Sequence, residues 1–304
     1  PLNVGPEGVV LEVPPGTSFR QLAFELRDRE ILDEPAYFIL LGRWNDAAER
    51  VRAGEYQVDQ GLTPRTLLSR LVSGAVIQHH LTVVEGWTFR ELRSALKEHG
   101  AIRHTLADVS SEEIMARLGK TDLHPEGQFA PDTYRFPRGT SDLEFLRRAH
   151  QTLQQWLADE WEQREKDLPY ESSYDALIMA SIIEKETALK SEREAIAGVF
   201  VRRLQRNMRL QTDPTVIYGM GDAYDGNIRR ADLRRDTPYN TYTRHGLPPT
   251  PIALPGLASL KAALHPATGD ALYFVARGDG GHQFSATLEE HLKAVRRYQL
   301  KRRN

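Results

Sequence analysis

One pattern of apolar and polar positions occurs three times in the first hundred residues. It reads apolar-x-Val-x-x-Gly-x-Ser/Thr-x-x-x-Leu-x-x-x-Leu, and its three copies contain Val13, Val58 and Val83. Alternation around each Val predicts a short strand, and the Gly allows a turn. The Ser or Thr stands where a helix N-cap belongs, and the two Leu form the buried face of that helix. We therefore predict three strand–turn–helix units.

The spacing of these units is uneven, at 45 residues from Val13 to Val58 and 25 residues from Val58 to Val83. A solenoid needs a constant period, so the pattern does not predict one. Small β/α units of this shape resemble LysM modules, which bind glycans. The same arrangement is also a common way to bury two layers of structure, and the pattern alone leaves both interpretations open.

The middle of the chain, from residue 102 to about 169, follows a mainly helical pattern. A loop rich in Pro, Gly and aromatic residues interrupts it at residues 126–140. An amphipathic helix is expected at residues 143–161. Pro169 and the polar residues that follow mark a boundary before the next helix.

The last third is predicted to contain helices at 174–187 and 191–206, an irregular stretch at 211–256, a short helix at 259–264, a β-hairpin at 271–285 and a last helix at 287–300. An irregular stretch of that length is usually functional or disordered, and the four Tyr within it disfavour disorder. The predicted fold class is α+β. LysM-like β/α modules at 1–83 precede a connecting helical region at 84–169 and a mixed, mainly helical domain with a hairpin at 170–304.

Composition narrows the classes of function. The 304 residues include 42 acidic and 40 basic side chains, a net charge of −2, so no basic field exists to hold nucleic acid. The absence of Cys excludes disulfides, cysteine zinc sites and thiol nucleophiles. The ten His lack the spacing of metal ligands, and no phosphate-binding loop occurs. We expect neither a metal nor a cofactor.

The run Ala-Leu-Ile-Met-Ala-Ser-Ile-Ile-Glu-Lys-Glu at residues 176–186 ends an apolar helix with carboxyl groups. Glu184 shares a stripe with Leu177 and Ser181, whereas Lys185 and Glu186 point elsewhere. Desolvation and the negative end of a helix dipole both raise the pKa of a carboxyl group, as a general acid near neutral pH requires. Glu184 is therefore the candidate acid, although Glu-Lys-Glu is also a frequent surface triplet.

Two further segments carry candidate binding residues. Asp213 precedes Pro214, which indicates a helix start, so Asp213 is either an N-cap or a polar group facing a cleft. Tyr and Asn side chains in the run Pro-Tyr-Asn-Thr-Tyr at 238–242 suit sugar recognition, because aromatic rings stack on pyranose faces and amides bind hydroxyl or N-acetyl groups. Anchoring of the loop by these aromatic residues explains the pattern equally well.

At these residues the sequence resembles the YceG-like family of endolytic murein transglycosylases. The motifs that carry the resemblance are Ala-Ser-Ile-Ile-Glu-Lys-Glu-Thr at 180–187, Arg-Leu-Gln-Thr-Asp-Pro-Thr-Val-Ile-Tyr-Gly-Met at 209–220, Tyr-Asn-Thr-Tyr-Thr at 239–243, Gly-Leu-Pro-Pro at 246–249, Glu-Gly-Gln-Phe-Ala-Pro-Asp-Thr-Tyr at 126–134, Leu-Lys-Ala-Ala-Leu-His-Pro at 260–266 and Leu-Tyr-Phe-Val-Ala at 272–276. The likeness covers residues 10–298. Gln128 and Ala130 depart from the larger aromatic residues that family members often carry there.

The resemblance implies an enzyme on the periplasmic face of the bacterial inner membrane, held by an N-terminal anchor that this chain lacks. Its substrate would be the glycan strands of peptidoglycan, and cell-wall synthesis proteins are possible partners. The family's catalytic Glu falls on Glu184. A single carboxyl group suffices if it protonates the glycosidic oxygen and then deprotonates the sugar's own C6 hydroxyl, which yields a 1,6-anhydro product. Candidate cleft contacts are Gln211, Asp213, Tyr218, Asn240 and Tyr242.

Two other functions remain open from the sequence. One is a glycan-binding scaffold without activity, in which Glu184 only ends a helix. The other is a hydrolase that uses Glu184 and Asp213 as a carboxylate pair.

Overall fold

A computed structural model describes residues 1–47 and 49–300, and within them the fold is mixed α/β. Three two-stranded sheets pair β1 with β2, β3 with β4 and β5 with β6. The strands are β1 (Val9–Val13), β2 (Gly54–Val58), β3 (Gln78–Thr82), β4 (Thr133–Pro137), β5 (Tyr273–Ala276) and β6 (His282–Ser285). The helices are α1 (Phe19–Asp28), α2 (Pro35–Trp44), α3 (Pro64–Ser73), α4 (Phe89–Glu98), α5 (Ser111–Arg117), α6 (Asp142–Glu162), α7 (Ser173–Glu186), α8 (Arg193–Gln205), α9 (Asp213–Met220), α10 (Arg230–Arg234), α11 (Leu257–Leu264) and α12 (Leu288–Val295).

The chain forms two compact units. The first comprises Pro1–Leu81, Glu98–Thr105 and Thr133–Asp142, and the second comprises Thr82–Lys97, Leu106–Asp132 and the chain from Leu143 onward. The three domains inferred from the sequence stay a prediction, and the last four residues of the 170–304 domain lie outside the described residues.

The core of the first unit is built on the antiparallel pair β1–β2, in which Leu11 lies opposite Tyr56. Both of these side chains are fully buried, and helices α1, α2 and α3 supply the other buried apolar residues: Phe19, Leu22, Leu26, Phe38, Leu41, Leu67, Leu68 and Leu71. The Leu pairs of the first two repeats are therefore core residues, as the 3.6-residue period predicts.

The three strand–turn–helix units are confirmed. Each has a strand, then a Gly in the left-handed region, then a helix: Gly16, Gly61 and Gly86 have φ of 84°, 80° and 80°. Ser18 and Thr63 accept hydrogen bonds from backbone N–H groups in the first turns of α1 and α3, which is the N-cap role predicted for them.

Two elements of the first unit were not predicted. Helix α2 has the sequence PAYFILLGRW, which is apolar on most sides and so lacks the amphipathic signature of a surface helix. Strand β4 lies inside the segment that was predicted to be a loop, where Pro131, Pro137 and Gly139 indicate turns. Its partner β3 lies about 50 residues earlier, and such non-local pairing leaves no local signal.

Helix α7 is the centre of the second unit. Its residues from Ala176 to Ile183 are all buried, and α8 and α11 pack against it. The single apolar stripe inferred for this helix was therefore too narrow, because a helix enclosed by neighbours is apolar on every side. Its charged side chains lie at its two ends, Asp175 in the first turn and Glu184, Lys185 and Glu186 in the last.

The predicted hairpin is confirmed as the antiparallel pair β5–β6. The stretch 211–256, predicted to be irregular, contains α9 and α10, and α9 begins where Pro214 indicated a helix start. Thr212, rather than Asp213, occupies its N-cap. Among the described residues, no helix has the length together with the hydropathy that a bilayer crossing requires.

Candidate active site

Glu184 lies in the last turn of α7, with only 5% of its side chain exposed. Both of its carboxyl oxygens have partners. Oε1 accepts a hydrogen bond from Nη2 of Arg193 at 2.8 Å, and Oε2 accepts one from the backbone N–H of Gly256 at 3.0 Å. These two contacts hold the plane of the carboxyl group in one orientation.

Arg193 reaches Glu184 because α7 and α8 are joined by a tight connection. Helix α7 ends at Glu186, a 3₁₀ turn covers Lys190–Glu192, and Arg193 is the first residue of α8. The guanidinium is buried, and its Nη2 also lies 3.5 Å from Oε2 of Glu85. The Glu85 side chain is 41% exposed. The buried Arg193 guanidinium therefore lies between the buried carboxyl group of Glu184 and the solvent-exposed carboxyl group of Glu85.

The loop that supplies the Gly256 N–H is tied along α7. The Ser181 hydroxyl donates to the carbonyl of Ile178 and accepts from the N–H of Ile252 at 3.0 Å. Two backbone hydrogen bonds then join Leu254 to Trp87 and to Gly86, at 2.7 and 2.8 Å. Hydrogen bonds to Ser181 of α7 and to the turn at Gly86 therefore hold the Pro-rich loop beside Glu184.

The turn at Gly86 lies beside Glu184. A Cβ on Gly86 would come to 3.8 Å from Cγ of Glu184, and its φ of 80° favours glycine. Lys185 points away from the core and donates from Nζ to the Gly86 carbonyl at 3.1 Å. The third repeat therefore contributes its turn to the surroundings of the candidate acid.

Glu186 is directed away from Glu184, as the sequence predicted. It accepts a hydrogen bond at Oε2 from the Thr212 hydroxyl at 2.6 Å, and burial raises the pKa of its carboxyl group. It lines a cavity of about 440 Å³ together with Arg203, Leu210, Gln211, Asp213, Tyr242, Tyr273, Phe274, Val275, Ala276, His282, Leu288, His291, Val295 and Gln299.

Three of the five predicted cleft residues line this cavity. The Tyr242 hydroxyl donates to Oδ1 of Asp213 at 2.6 Å, and Oε1 of Gln211 accepts from Arg203 at 3.3 Å. Gln211 has a φ of 53°, a left-handed conformation that non-glycine residues adopt at a cost and that is concentrated at functional sites.

The other two predicted cleft residues lie outside this cavity. The Tyr218 hydroxyl donates to Oε2 of Glu126 at 3.1 Å, and its ring packs against that of Tyr239. Asn240 is 1% exposed, and its amide nitrogen donates to the carbonyls of Asp232, Leu233 and Arg235.

Two residues that contact this site, Arg193 and Glu85, were not predicted from the sequence. Arg193 lies in the charged run Lys-Ser-Glu-Arg-Glu at residues 190–194, which is typical of a solvated helix start. Glu85 did carry a weak signal, because the first two repeats have Pro15 and Gln60 before their Gly, whereas the third has a carboxylate.

Comparison with known proteins places these motifs in a family. Residues 11–297 match the YceG-like family. An endolytic murein transglycosylase of Bacillus subtilis is 32% identical over 95% of this chain and 84% of its own length. One of Streptococcus pneumoniae is 26% identical over 93% of this chain.

The chain belongs to the YceG-like family.

A crystal structure of a YceG-like protein from Listeria monocytogenes has the same overall fold. Its TM-score is 0.57, with 30% identity over 95% of this chain and 99% of that chain. The chain spans 56% of the length of the pneumococcal relative, so that protein has further sequence beyond the region shared with this YceG-like chain.

Asn240 is a buried residue of the 239–243 motif, and its substitution tests whether it stabilises the fold or contacts substrate. We expect Asn240→Ala to lower the free energy of unfolding by about 1–3 kcal/mol, because buried carbonyl groups lose their donor. Denaturant unfolding measures this change, with the exposed Asn227→Ala as the matched control. An unchanged stability together with weaker glycan binding would instead assign Asn240 to substrate contact.

Glu126 is a further buried carboxyl group in this unit. Its Oε1 accepts from the N–H of Phe89 at 2.9 Å, and burial raises its pKa from 4.5 to about 7. The folded state therefore binds this proton more tightly than the unfolded state. The stabilisation is complete below about pH 4.5 and is lost as the pH rises to about 7.

We expect the free energy of unfolding to fall by about 3 kcal/mol across that pH range through Glu126, since one pKa unit corresponds to about 1.4 kcal/mol. Glu126→Gln should flatten the pH dependence by this amount, and Glu7→Gln, an exposed control, should not. Urea unfolding at a series of pH values measures both slopes. Parallel curves for Glu126→Gln and the parent protein would contradict the assignment.

Proposed function

We propose that this YceG-like protein is an endolytic lytic transglycosylase. It would cut the β-1,4 bond between N-acetylmuramic acid and N-acetylglucosamine within peptidoglycan strands, leaving a 1,6-anhydro end. The observation that carries the proposal is the buried Glu184 carboxyl group held between Arg193 and the Gly256 N–H. This carboxyl group belongs to a chain whose relatives in Bacillus subtilis and Streptococcus pneumoniae are named endolytic murein transglycosylases.

Glu184 would act twice in this reaction. Its protonated form gives its proton to the glycosidic oxygen as the bond to C1 breaks. The carboxylate then takes the proton of the C6 hydroxyl, whose oxygen bonds to C1 of the same sugar. The proton returns to Glu184, and no water is consumed, so a second carboxylate is not needed to activate one.

The Gly256 N–H would keep the carboxyl group in one orientation through both proton transfers, and Arg193 would hold its ionised form. Pre-orientation of this kind lowers the barrier, because the group need not reorganise during the reaction. The acid step requires Glu184 to take up a proton while it lies beside the Arg193 guanidinium.

The cavity that contains Gln211, Asp213 and Tyr242 would bind a part of the glycan away from the reacting bond, because Glu184 is not among the residues that line it. Carboxylate and amide groups accept and donate hydrogen bonds to hydroxyl and N-acetyl groups, and a Tyr ring presents an apolar face to a pyranose. Tyr218 and Asn240, the other two residues inferred from the sequence, would support this region of the loop.

The N-terminal β/α units would serve as LysM-like modules that bind the same glycan strands. The family resemblance further supports a location at the periplasmic face of the inner membrane, through an N-terminal anchor. Contacts with cell-wall synthesis proteins are a plausible consequence of that location.

The chemistry of the cut end tests the proposal. Intact peptidoglycan is digested in water enriched in oxygen-18, and the fragments are analysed by mass spectrometry. We expect internal fragments with 1,6-anhydro ends that contain no heavy oxygen. Reducing ends that carry one heavy oxygen would establish hydrolysis instead, and binding without cleavage would establish a scaffold.

A further inference from the structure

The Arg193 guanidinium has an unusual set of partners. Its Nη2 contacts Glu184 at 2.8 Å and lies 3.5 Å from Glu85, whereas its Nε and Nη1 are buried without a hydrogen-bond partner. All of its polar contacts therefore run through one nitrogen. A buried cation in that position depends on the negative charge beside it.

That dependence creates a difficulty for the proposed reaction. Glu184 must be protonated before it can act as an acid, and in that state it no longer neutralises Arg193. An uncompensated buried charge strongly opposes protonation. Some other anion has to balance Arg193 at this stage.

We propose that Glu85 is a positioning residue that pairs with Arg193 when Glu184 is protonated. This inference rests on the proposed function, because it concerns the acid form of the catalytic group. Glu85 needs only a small movement from its 3.5 Å contact with Arg193, and its side chain, which is 41% exposed, has room to make it. Its carboxyl group lies directly against Gly256, where a Cβ would overlap it.

The charged groups that face Glu184 in the described chain come from three elements. Arg193 comes from α8, Glu85 from the turn before α4, and Lys185 from α7 itself. Lys185 is already bonded to the Gly86 carbonyl and points outward, so it does not compete for the buried carboxyl group. With Glu184 protonated, Arg193 and Glu85 form a neutral pair, so the buried guanidinium keeps a counter-ion.

The first experiment measures the pH dependence of strand cleavage for Glu85→Gln, Glu85→Asp and the exposed control Glu98→Gln. In Glu85→Gln, only Glu184 remains to neutralise Arg193, so Glu184 holds its proton less well. We expect the high-pH limb of the rate profile to shift to lower pH by about 1 pH unit, which lowers the rate at neutral pH about tenfold. Glu85→Asp should retain most of the parent profile, and Glu98→Gln should match it.

A second measurement does not depend on activity. The melting temperatures of Glu85→Gln and the parent protein are compared from about pH 7 to about pH 3, a range that spans the ordinary pKa of a Glu side chain. We expect the gap between them to widen as the pH falls, because protonation of Glu184 then leaves Arg193 without a counter-ion in the variant only.

The outcomes separate this inference from the function itself. A loss of rate that is uniform with pH, or a constant gap in melting temperature, overturns the role of Glu85 even if anhydro products form. A widening gap supports the exchange of Arg193 even if the products have reducing ends, in which case the lytic mechanism fails and the positioning role stands.

Discussion

Glu184→Gln is expected to reduce the rate of glycan strand cleavage by about 10³- to 10⁴-fold. General acid–base catalysis typically contributes 10²- to 10⁴-fold, and here one group supplies both the acid and the base. The amide keeps the size and planarity of the carboxyl group and can still accept the Gly256 N–H, so the fold around it should be preserved. The rate of appearance of 1,6-anhydro ends, followed by mass spectrometry, measures the loss.

Glu194→Gln is the matched control for this experiment. Glu194 lies one residue after Arg193 on α8, and its side chain is exposed. The Glu194→Gln variant should cleave glycan strands at the parent rate. Sedimentation with insoluble peptidoglycan should show that Glu184→Gln still binds. A folded Glu184→Gln variant that keeps a tenth or more of the parent rate would remove Glu184 from the chemistry.

The two carboxyl groups of the Glu-Lys-Glu triplet show how little a short motif reveals about the surroundings of its side chains. Read alone, the triplet is compatible with a solvated helix end, yet Glu184 and Glu186 both turn inward while Lys185 points out. Glu184 meets a guanidinium, and Glu186 meets the hydroxyl of Thr212. One helix end thus holds an ion-paired carboxylate and a second carboxyl group whose pKa is raised by burial.

Local patterns predicted the local elements well. The repeats, α6, α7 and the hairpin β5–β6 follow from apolar spacing, N-cap residues and turn residues, which act over a few positions of chain. The elements that were missed depend on distant partners. Strand β4 exists through its pairing with β3, and α2 is defined by burial on the β1–β2 core rather than by its own periodicity.

The residues of the candidate site also divide into those predicted from local sequence and those that depend on distant partners. Glu184 was found from its helix and from the family resemblance, whereas Arg193, Glu85 and Gly256 meet it through three separate chain segments that no spacing rule connects. Asn240 shows the opposite case. A motif of Tyr and Asn at a loop tip suggested sugar contact, but the amide is used to satisfy carbonyl groups inside the loop.

Arg193→Met should lower the free energy of unfolding by about 3–5 kcal/mol at neutral pH. The substitution keeps the bulk of the side chain but leaves a nearly buried Glu184 carboxylate without its cation, and removal of one partner of a buried ion pair carries a cost of that size. Denaturant unfolding measures the change. Arg244→Met, which breaks the exposed pair with Asp236, is the control and should have little effect.

The double variant Glu184→Gln/Arg193→Met distinguishes a lost ion pair from lost packing. If the cost of Arg193→Met arises from the unpaired carboxylate, neutralising Glu184 should restore most of the lost stability, and the two substitutions should be strongly non-additive. Additive losses would mean that Arg193 stabilises the protein through its packing alone. In that case the guanidinium does not govern the charge of Glu184, and the exchange with Glu85 loses its physical basis.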